Sequence, residues 1–314
     1  MINIIHNESC LETLGKMPDS YLDCVITSPP YWRLRDYGYD GQWGLEPTFN
    51  QYLEHLWSLM DSIYVKLKDG GTVWVNLGDT YGGGNSGQGG DSGKHTNNKP
   101  SIKGTRFDLG IKKPLTKCLL LIPHRFAIGC IDRGWIVRND IIWAKRNGMP
   151  ESVTDRFSKK HEYFFFMVKS QNYYFDLDAA RSKHIHANDK RNNSERHVYK
   201  DGVKSLNNDM LATNAVSFNP LGKNPGSVSD FWDIPTKPSS NEHYAAYNDE
   251  LIKKPILSGC PEGGIIYDPF MGTGSTAEAA LRANRRFIGS EMSEKYCKIA
   301  EERLRPLFNQ TKLF

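Results

Sequence analysis

The chain has 314 residues and a formal charge of +4. That length suits one large domain or one domain with an insert, and the mildly basic balance permits a nucleic-acid partner without requiring one. The six cysteines contain no CxxC pair, which excludes a disulfide framework or zinc site and leaves small buried hydrophobes of a reducing compartment, Cys24, Cys118 and Cys130 among them. Met1–Cys10 lacks the basic start and apolar stretch of a secretory leader, and no apolar run approaches the roughly 18–20 residues needed to span a bilayer.

In chain order, apolar β-branched runs predict strands at Cys24–Ile26, Thr72–Leu77, Ile136–Trp143, Tyr163–Val168, Gly264–Tyr267 and Arg286–Gly289. Helical spacing predicts Phe49–Leu67, with Tyr52, Leu53, Leu56, Leu59, Met60 and Ile63 along one side, and also Pro114–Arg133 and Ser293–Leu307. Strands alternating with helices imply an α/β fold: a doubly wound, mostly parallel sheet covered on both faces. Two segments break the alternation. Tyr81–Lys113 is rich in Gly, Ser and Asn, and Arg181–Ser229 is polar and basic without periodicity. The glycines of Gly82–Gly93 read most simply as a flexible connection.

Two short stretches carry chemistry. In "ITSPPYW", Ile26–Trp32, a buried strand ends on a hydroxyl, two prolines and two aromatics. The prolines remove two backbone donors and hold the chain extended. In "IIYDPFMGTGST", Ile265–Thr276, a strand ends at Asp268, a turn carries Gly272-Thr273-Gly274, and a helix begins near Ser275. Glycines there let backbone approach a ligand and let helix and strand pack closely. A second strand ends near Glu291, about 20 residues past the turn, where a carboxylate suits ribose hydroxyls. The turn is not GxGxxG and has no Walker lysine, so neither a dinucleotide nor a nucleoside triphosphate is implied.

The stretch "DPFMGTGST" resembles the S-adenosylmethionine motif of amino-group DNA methyltransferases. "TSPPYW" resembles their catalytic motif, (Asp/Asn/Ser)-Pro-Pro-(Tyr/Phe/Trp). The catalytic motif comes first and the cofactor motif near the C-terminus, which is similar to the beta arrangement of that family. "YWRLRDYG", "GGTVWVNLGDTYGG", "RNDIIWAKRNGMPESVTDRFSKKHEYFFFMVKS" and "HYAAYNDELIKKPILSGCPEGG" also resemble segments of its TSPPYW branch. The Ser variant resembles enzymes that methylate cytosine N4, whereas Asp is more usual for adenine N6.

The resemblance implies a methyltransferase-type sheet with an inserted target-recognition region. Residues 1–180 form the catalytic part, 181–234 the insert and 235–314 the cofactor-binding part. It implies that Ser28 Oγ and the Pro29 carbonyl accept from the target amine, that Pro30 stiffens the loop, and that Tyr31 stacks on a flipped base. Trp32 extends that wall or lies in the core. Asp268, Phe270, Gly272, Thr273 and Gly274 surround the methionine part of S-adenosylmethionine, Glu291 binds ribose, Met292 lies beside adenine, and His243 sits near the methionine end. Relatives often carry an acid near the N-terminus, where this chain has "NESCLE"; Ser9 or Cys10 would supply a weaker contact.

Arg181, Lys190, Arg191 and Arg196 of the insert would meet DNA, with Lys and Arg on phosphates and Arg and Asn reading base edges. The implied partner is double-stranded DNA, along with a cognate restriction endonuclease acting on the same site. No metal, covalent intermediate or membrane is implied. The resemblance is compatible with a monomer or homodimer in the cytoplasm of a bacterium or archaeon, or encoded by a phage. Adenine-N6 methylation, the same fold acting on RNA or a small molecule, and a binding module without activity stay open as alternatives. The intact motifs weigh against the last, and the basic insert against a small molecule.

Overall fold

The computed structural model describes residues 1–82, 116–148, 151–179, 230–236 and 249–310. These build one eight-stranded sheet. The strands are β1 (Ile4–His6), β2 (Leu22–Thr27), β3 (Leu67–Leu77), β4 (Ile136–Ala144), β5 (His161–Val168), β6 (Phe231–Asp233), β7 (Ile265–Asp268) and β8 (Arg286–Ser290). The helices are α1 (Cys10–Gly15), α2 (Phe49–Lys66), α3 (Ile122–Asp132), α4 (Asp249–Gly259), α5 (Ser275–Arg282) and α6 (Glu294–Gln310).

The strand order is β1-β8-β7-β2-β3-β5-β4-β6. Only β5 runs against the others, pairing antiparallel with both β3 and β4. The remaining pairs are parallel. The expected doubly wound, mostly parallel sheet is therefore present. Strand alternation sorts the core into two layers. Val25, Val73, Val75, Phe165 and Met167 face one way, against Leu14 of α1, Leu56 and Ile63 of α2 and Phe126 of α3. Cys24, Ile26, Trp74, Phe164 and Phe166 face the other, against Ile252 and Ile256 of α4, Ala277 and Ala280 of α5 and Leu304 of α6.

Local chemistry sets several boundaries. Ser9 and Glu12 form a reciprocal capping box that starts α1, and Thr48 and Gln51 form one that starts α2. The helix expected over Pro114–Arg133 is shorter than that pattern, running from Ile122 to Asp132. Leu121 ahead of it is left-handed at φ 56° and cannot continue a helix. Cys118 therefore lies ahead of the helix, next to the Tyr81–Leu119 bridge, and is exposed, correcting the expectation of a buried thiol, while the other five cysteines are buried and free. Among the described residues no helix is long and apolar enough to cross a membrane, and no group of three or more His, Cys, Asp or Glu could hold a metal ion.

Candidate active site

The two sequence motifs meet at one edge of the sheet's centre. β2 and β7 are neighbours, with Cys24 opposite Ile266 and Val25 opposite Tyr267. Ser28 follows the C-terminal end of β2 and Asp268 ends β7, so residues 240 positions apart stand at adjacent strand ends. In open α/β sheets that is where ligands bind.

Asp268 is 1% exposed. Its Oδ1 accepts from Phe270 N at 3.0 Å and its Oδ2 from Thr276 Oγ1 at 2.6 Å. Burial pushes its carboxyl up to about 6, although both hydrogen bonds pull the other way. A buried carboxyl raised in this way gains from a cationic ligand, which would restore the charge that burial penalises. Glu291 lies at the end of the adjacent strand β8. Its Oε2 accepts from Gly272 N at 2.9 Å and its Oε1 from Ser293 N at 2.7 Å. Each oxygen keeps a second lone pair for a hydroxyl pair. Burial raises this carboxyl as well, against the pull of the backbone donors.

The two turn glycines serve different ends. Gly272 has φ +54°, and a Cβ there would meet nothing nearer than Phe270 O at 4.0 Å, so its face is open to a ligand. Gly274 has φ +82°, and a Cβ there would fall 2.9 Å from Ala300 Cβ. It lets α5 begin hard against α6. Thr273 offers its carbonyl to Arg303 Nη1 at 3.5 Å. The Phe270 ring packs edge-on against Trp43, with centroids 5.3 Å apart. Met292 is 39% exposed, and its Cε lies 3.6 Å from where a Gly41 Cβ would be. The segment after the catalytic motif therefore folds back over the cofactor half. The donor set fits S-adenosylmethionine: a carboxylate for a cation, a second for a diol, an open glycine face, and apolar groups for an adenine.

The catalytic loop is braced from several sides. Tyr52 of α2 donates to the Pro30 carbonyl at 2.8 Å. Arg33 N donates to Gly44 O at 2.6 Å, and a Cβ on Gly44 would lie 2.9 Å from Tyr31 O. Gly44 N in turn donates to Glu46 Oε2 at 2.9 Å. Trp32 is core, 3% exposed, with Nε1 donating to Glu46 O at 3.0 Å. It does not extend a wall of the site. Among the described residues the Pro29 carbonyl accepts no hydrogen bond.

Tyr31 is half-buried over Gly78, where a Cβ would come within 2.5 Å of its ring. Its hydroxyl lies 2.8 Å from Asn76 Oδ1 and 2.7 Å from Glu162 Oε2. Ser28 Oγ lies 3.4 Å from Asn76 Oδ1 and 3.5 Å from Tyr31 Oη. Lys145 pairs with Glu162 Oε1. Asn76, Glu162 and Lys145 were not singled out in the sequence, and Tyr52 was read there only as part of the apolar side of α2. The available signal was a polar residue closing an apolar strand: Asn76 in "TVWVNL" and Glu162 ahead of "YFFFMV".

Asn7 is a further residue that the motifs do not announce. Its Nδ2 donates to Glu291 O at 2.9 Å and to Met292 O at 3.0 Å, tying the loop after β1 to the end of β8. Ser9 is spent on capping α1, and Glu8 on Thr13 and Lys16. His243, Arg181, Lys190, Arg191 and Arg196 lie outside the described residues, as does nearly all of Gly82–Gly93. β6 pairs with β4, so Phe231–Asp233 belong to the sheet.

Comparison with known proteins decides the family. The family described as DNA methylase, covering N6 and N4 enzymes, matches residues 22–302. This chain belongs to it. The Type II methyltransferase M.Cfr9I of Citrobacter freundii is 33% identical over 94% of this chain and 85% of its own length. Among solved structures, a putative DNA modification methylase of Thermus thermophilus, TTHA0409, complexed with S-adenosyl-L-methionine, matches with a TM-score of 0.56 at 20% identity. That match covers 97% of this chain and 93% of the other. The PvuII DNA methyltransferase, titled cytosine-N4-specific, matches with a TM-score of 0.59 at 17% identity, covering 98% and 93%. At these identities the two structures speak for the fold: the DNA methylase carries the S-adenosylmethionine-dependent methyltransferase sheet.

Proposed function

We propose that this DNA methylase transfers a methyl group from S-adenosylmethionine to the exocyclic N4 amine of cytosine in duplex DNA, with the target base flipped out of the helix. The observation that carries the reading is the neighbouring strand ends: a hydroxyl, Ser28, stands beside the buried carboxylate Asp268. The bound sulfonium supplies an electrophilic methyl. The chain's residues do the rest. The amine is a poor nucleophile because its lone pair is delocalised into the ring. Ser28 Oγ and the Pro29 carbonyl accept from its hydrogens and return density to nitrogen. The Pro29-Pro30 pair and the Tyr52 bond hold those acceptors in place before substrate arrives. A base within a duplex cannot reach the site, so extrusion against Tyr31 is part of the reading.

Residues 181–229, with Arg181, Lys190, Arg191 and Arg196, are proposed to recognise the target sequence. M.Cfr9I is named a Type II methyltransferase, and by analogy the chain would protect a site from a cognate endonuclease in the cytoplasm of its bacterial, archaeal or phage-infected host. Mass spectrometry of nucleosides from duplex DNA incubated with enzyme and S-adenosylmethionine should show N4-methylcytosine. Ser28→Ala should lose most turnover and keep cofactor affinity. N6-methyladenine as the sole product would overturn the base assignment and leave the enzyme class standing.

A further inference from the structure

Four oxygen-bearing side chains from three parts of the sheet converge beside the target site. Tyr31 Oη makes two short contacts, to Asn76 Oδ1 at 2.8 Å and to Glu162 Oε2 at 2.7 Å. The Asn76 amide is oriented by its other end, because Nδ2 donates to the Tyr163 carbonyl at 3.0 Å. Its oxygen therefore faces Tyr31 and Ser28, and an amide oxygen there can only accept. A phenol carries one hydrogen, which serves one of the two contacts. A hydrogen on Glu162 Oε2 would let both contacts be made at once. The cluster thus has a place for one more proton than its two hydroxyls supply, and a carboxylate is the member able to take it.

We propose that Glu162 receives, through Ser28 and Tyr31, the proton released when the base amine is methylated. The inference rests on the reading of the site given above. In the transfer, nitrogen forms its bond to the methyl carbon as the carbon–sulfur bond breaks, and that electron pair stays on sulfur. The methylated nitrogen then carries a surplus proton. Ser28 Oγ takes this proton as its own passes to Tyr31 Oη, and the Tyr31 proton passes to Glu162 Oε2. Afterwards Glu162 is a carboxylic acid donating to Tyr31 Oη, and Tyr31 donates to Asn76, so both short contacts carry a hydrogen. The acid then returns its proton to solvent, since the Glu162 side chain keeps 16% of its surface exposed.

Glu162 acts through Tyr31 and does not touch the base, so it is a positioning residue with a proton to hold. The groups facing it are Tyr31 from the catalytic loop, Lys145 from β4 on Oε1, and the charges of Lys159 and His161 at the start of β5. Lys145 on one oxygen leaves the other turned to Tyr31. Asn76 cannot serve in its place, because an amide does not take up a proton at ordinary pH.

The test is single-turnover methylation of duplex DNA across pH 5–9 for wild type, E162Q, E162D, Y31F, H161N and the Y31F/E162Q double variant. Cofactor affinity by calorimetry and duplex affinity by titration accompany each rate. E162Q and Y31F should each slow the transfer by about 100-fold, the lower range for a lost proton acceptor. The double variant should be no slower than either single one, because both break one relay. E162D should recover part of the rate that E162Q loses, and H161N should keep the wild-type rate. Cofactor and DNA affinities should stay within about threefold, well under 1 kcal/mol.

An E162Q rate within twofold of wild type would overturn the proposal. So would an H161N rate that falls as far as that of E162Q, losses that multiply in the double variant, or weakened DNA binding at an unchanged rate. The last outcome would mean that Glu162 only seats the ring. Should E162Q not fold, Y31F decides, since it deletes the hydroxyl link and keeps the ring. Wild type that yields no methylated nucleoside would defeat the proposed function itself; a productive wild type with unimpaired variants defeats the relay alone.

Discussion

Asp268→Asn separates what the cofactor site costs from what it does. The carboxyl is fully enclosed, and its rise from an ordinary 3.8 to about 6 corresponds to about 3 kcal/mol at 1.36 kcal/mol per pH unit. The direction follows from proton counting. Above pH 3.8 the unfolded chain has released this proton, while the folded chain holds it until about pH 6. Folding stability therefore falls as pH rises across that interval, and the loss is complete above it. Asparagine has the same shape and no charge. Its Oδ1 can accept from Phe270 N, and its Nδ2 can donate to the Thr276 hydroxyl, so both contacts survive with one polarity reversed.

The ligand-free Asn variant should consequently be more stable than wild type at pH 8, by up to about 3 kcal/mol. That is a rise of several degrees in Tm, at roughly 2–4 °C per kcal/mol for a domain of this class. The gap should narrow as pH drops through 6 toward 4. S-adenosylmethionine should bind the variant at least about tenfold more weakly, the equivalent of about 1.4 kcal/mol, because its cationic end loses a buried counter-charge. Near pH 6, binding to wild type should release protons and binding to the variant should not. Thermal denaturation and calorimetry at pH 5, 6 and 8, the latter in buffers of different ionisation enthalpy, measure all of this. A variant less stable than wild type by the same amount at pH 5 and pH 8 would refute the burial cost. Unchanged cofactor affinity would remove Asp268 from the site.

Asn7→Ala removes two hydrogen bonds to the Glu291 and Met292 carbonyls and should weaken cofactor binding by about 1 kcal/mol, read by calorimetry, with little change in Tm. Tyr52→Phe deletes the 2.8 Å bond to Pro30 O; it should lower kcat several-fold, about 1 kcal/mol, and leave cofactor affinity intact. Gly78→Ala places a Cβ 2.5 Å from the Tyr31 ring, so a drop in methylation rate larger than the stability loss is expected from parallel activity and denaturation assays. Arg191→Ala with Arg196→Ala should reduce duplex affinity and flatten its salt dependence by about one counterion per lost phosphate contact, seen in binding titrations at several salt concentrations.

The pattern of what could be read from the sequence has physical causes. Strands and turns at Ser28 and Asp268 were legible because each motif is local: an apolar run, a strand-end polar group, then a proline pair or glycines. The β1 strand was not, since three residues of which Ile4 is exposed carry no period. α4 was hidden by Pro255, a residue that ordinarily ends a helix and here sits inside one. The reversal of β5 had a signal that periodicity alone misses. Lys145–Lys160 shows no helical pattern, and a parallel return needs a crossover of a dozen or more residues, usually helical; without a helix, β4 and β5 are best joined antiparallel, as they are.

That reversal matters for the site. Running β5 against β3 sets Leu77 opposite Tyr163 and Asn76 opposite Phe164, which brings the start of β5, and with it Glu162, to the same end of the sheet as Ser28. A parallel β5 would carry Glu162 to the far end, and Tyr31 would have no carboxylate to meet. The cluster around Tyr31 is thus a property of sheet register. No single stretch of sequence contains it, which is why Ser28 and Tyr31 could be named from their motif while Asn76, Lys145 and Glu162 could not.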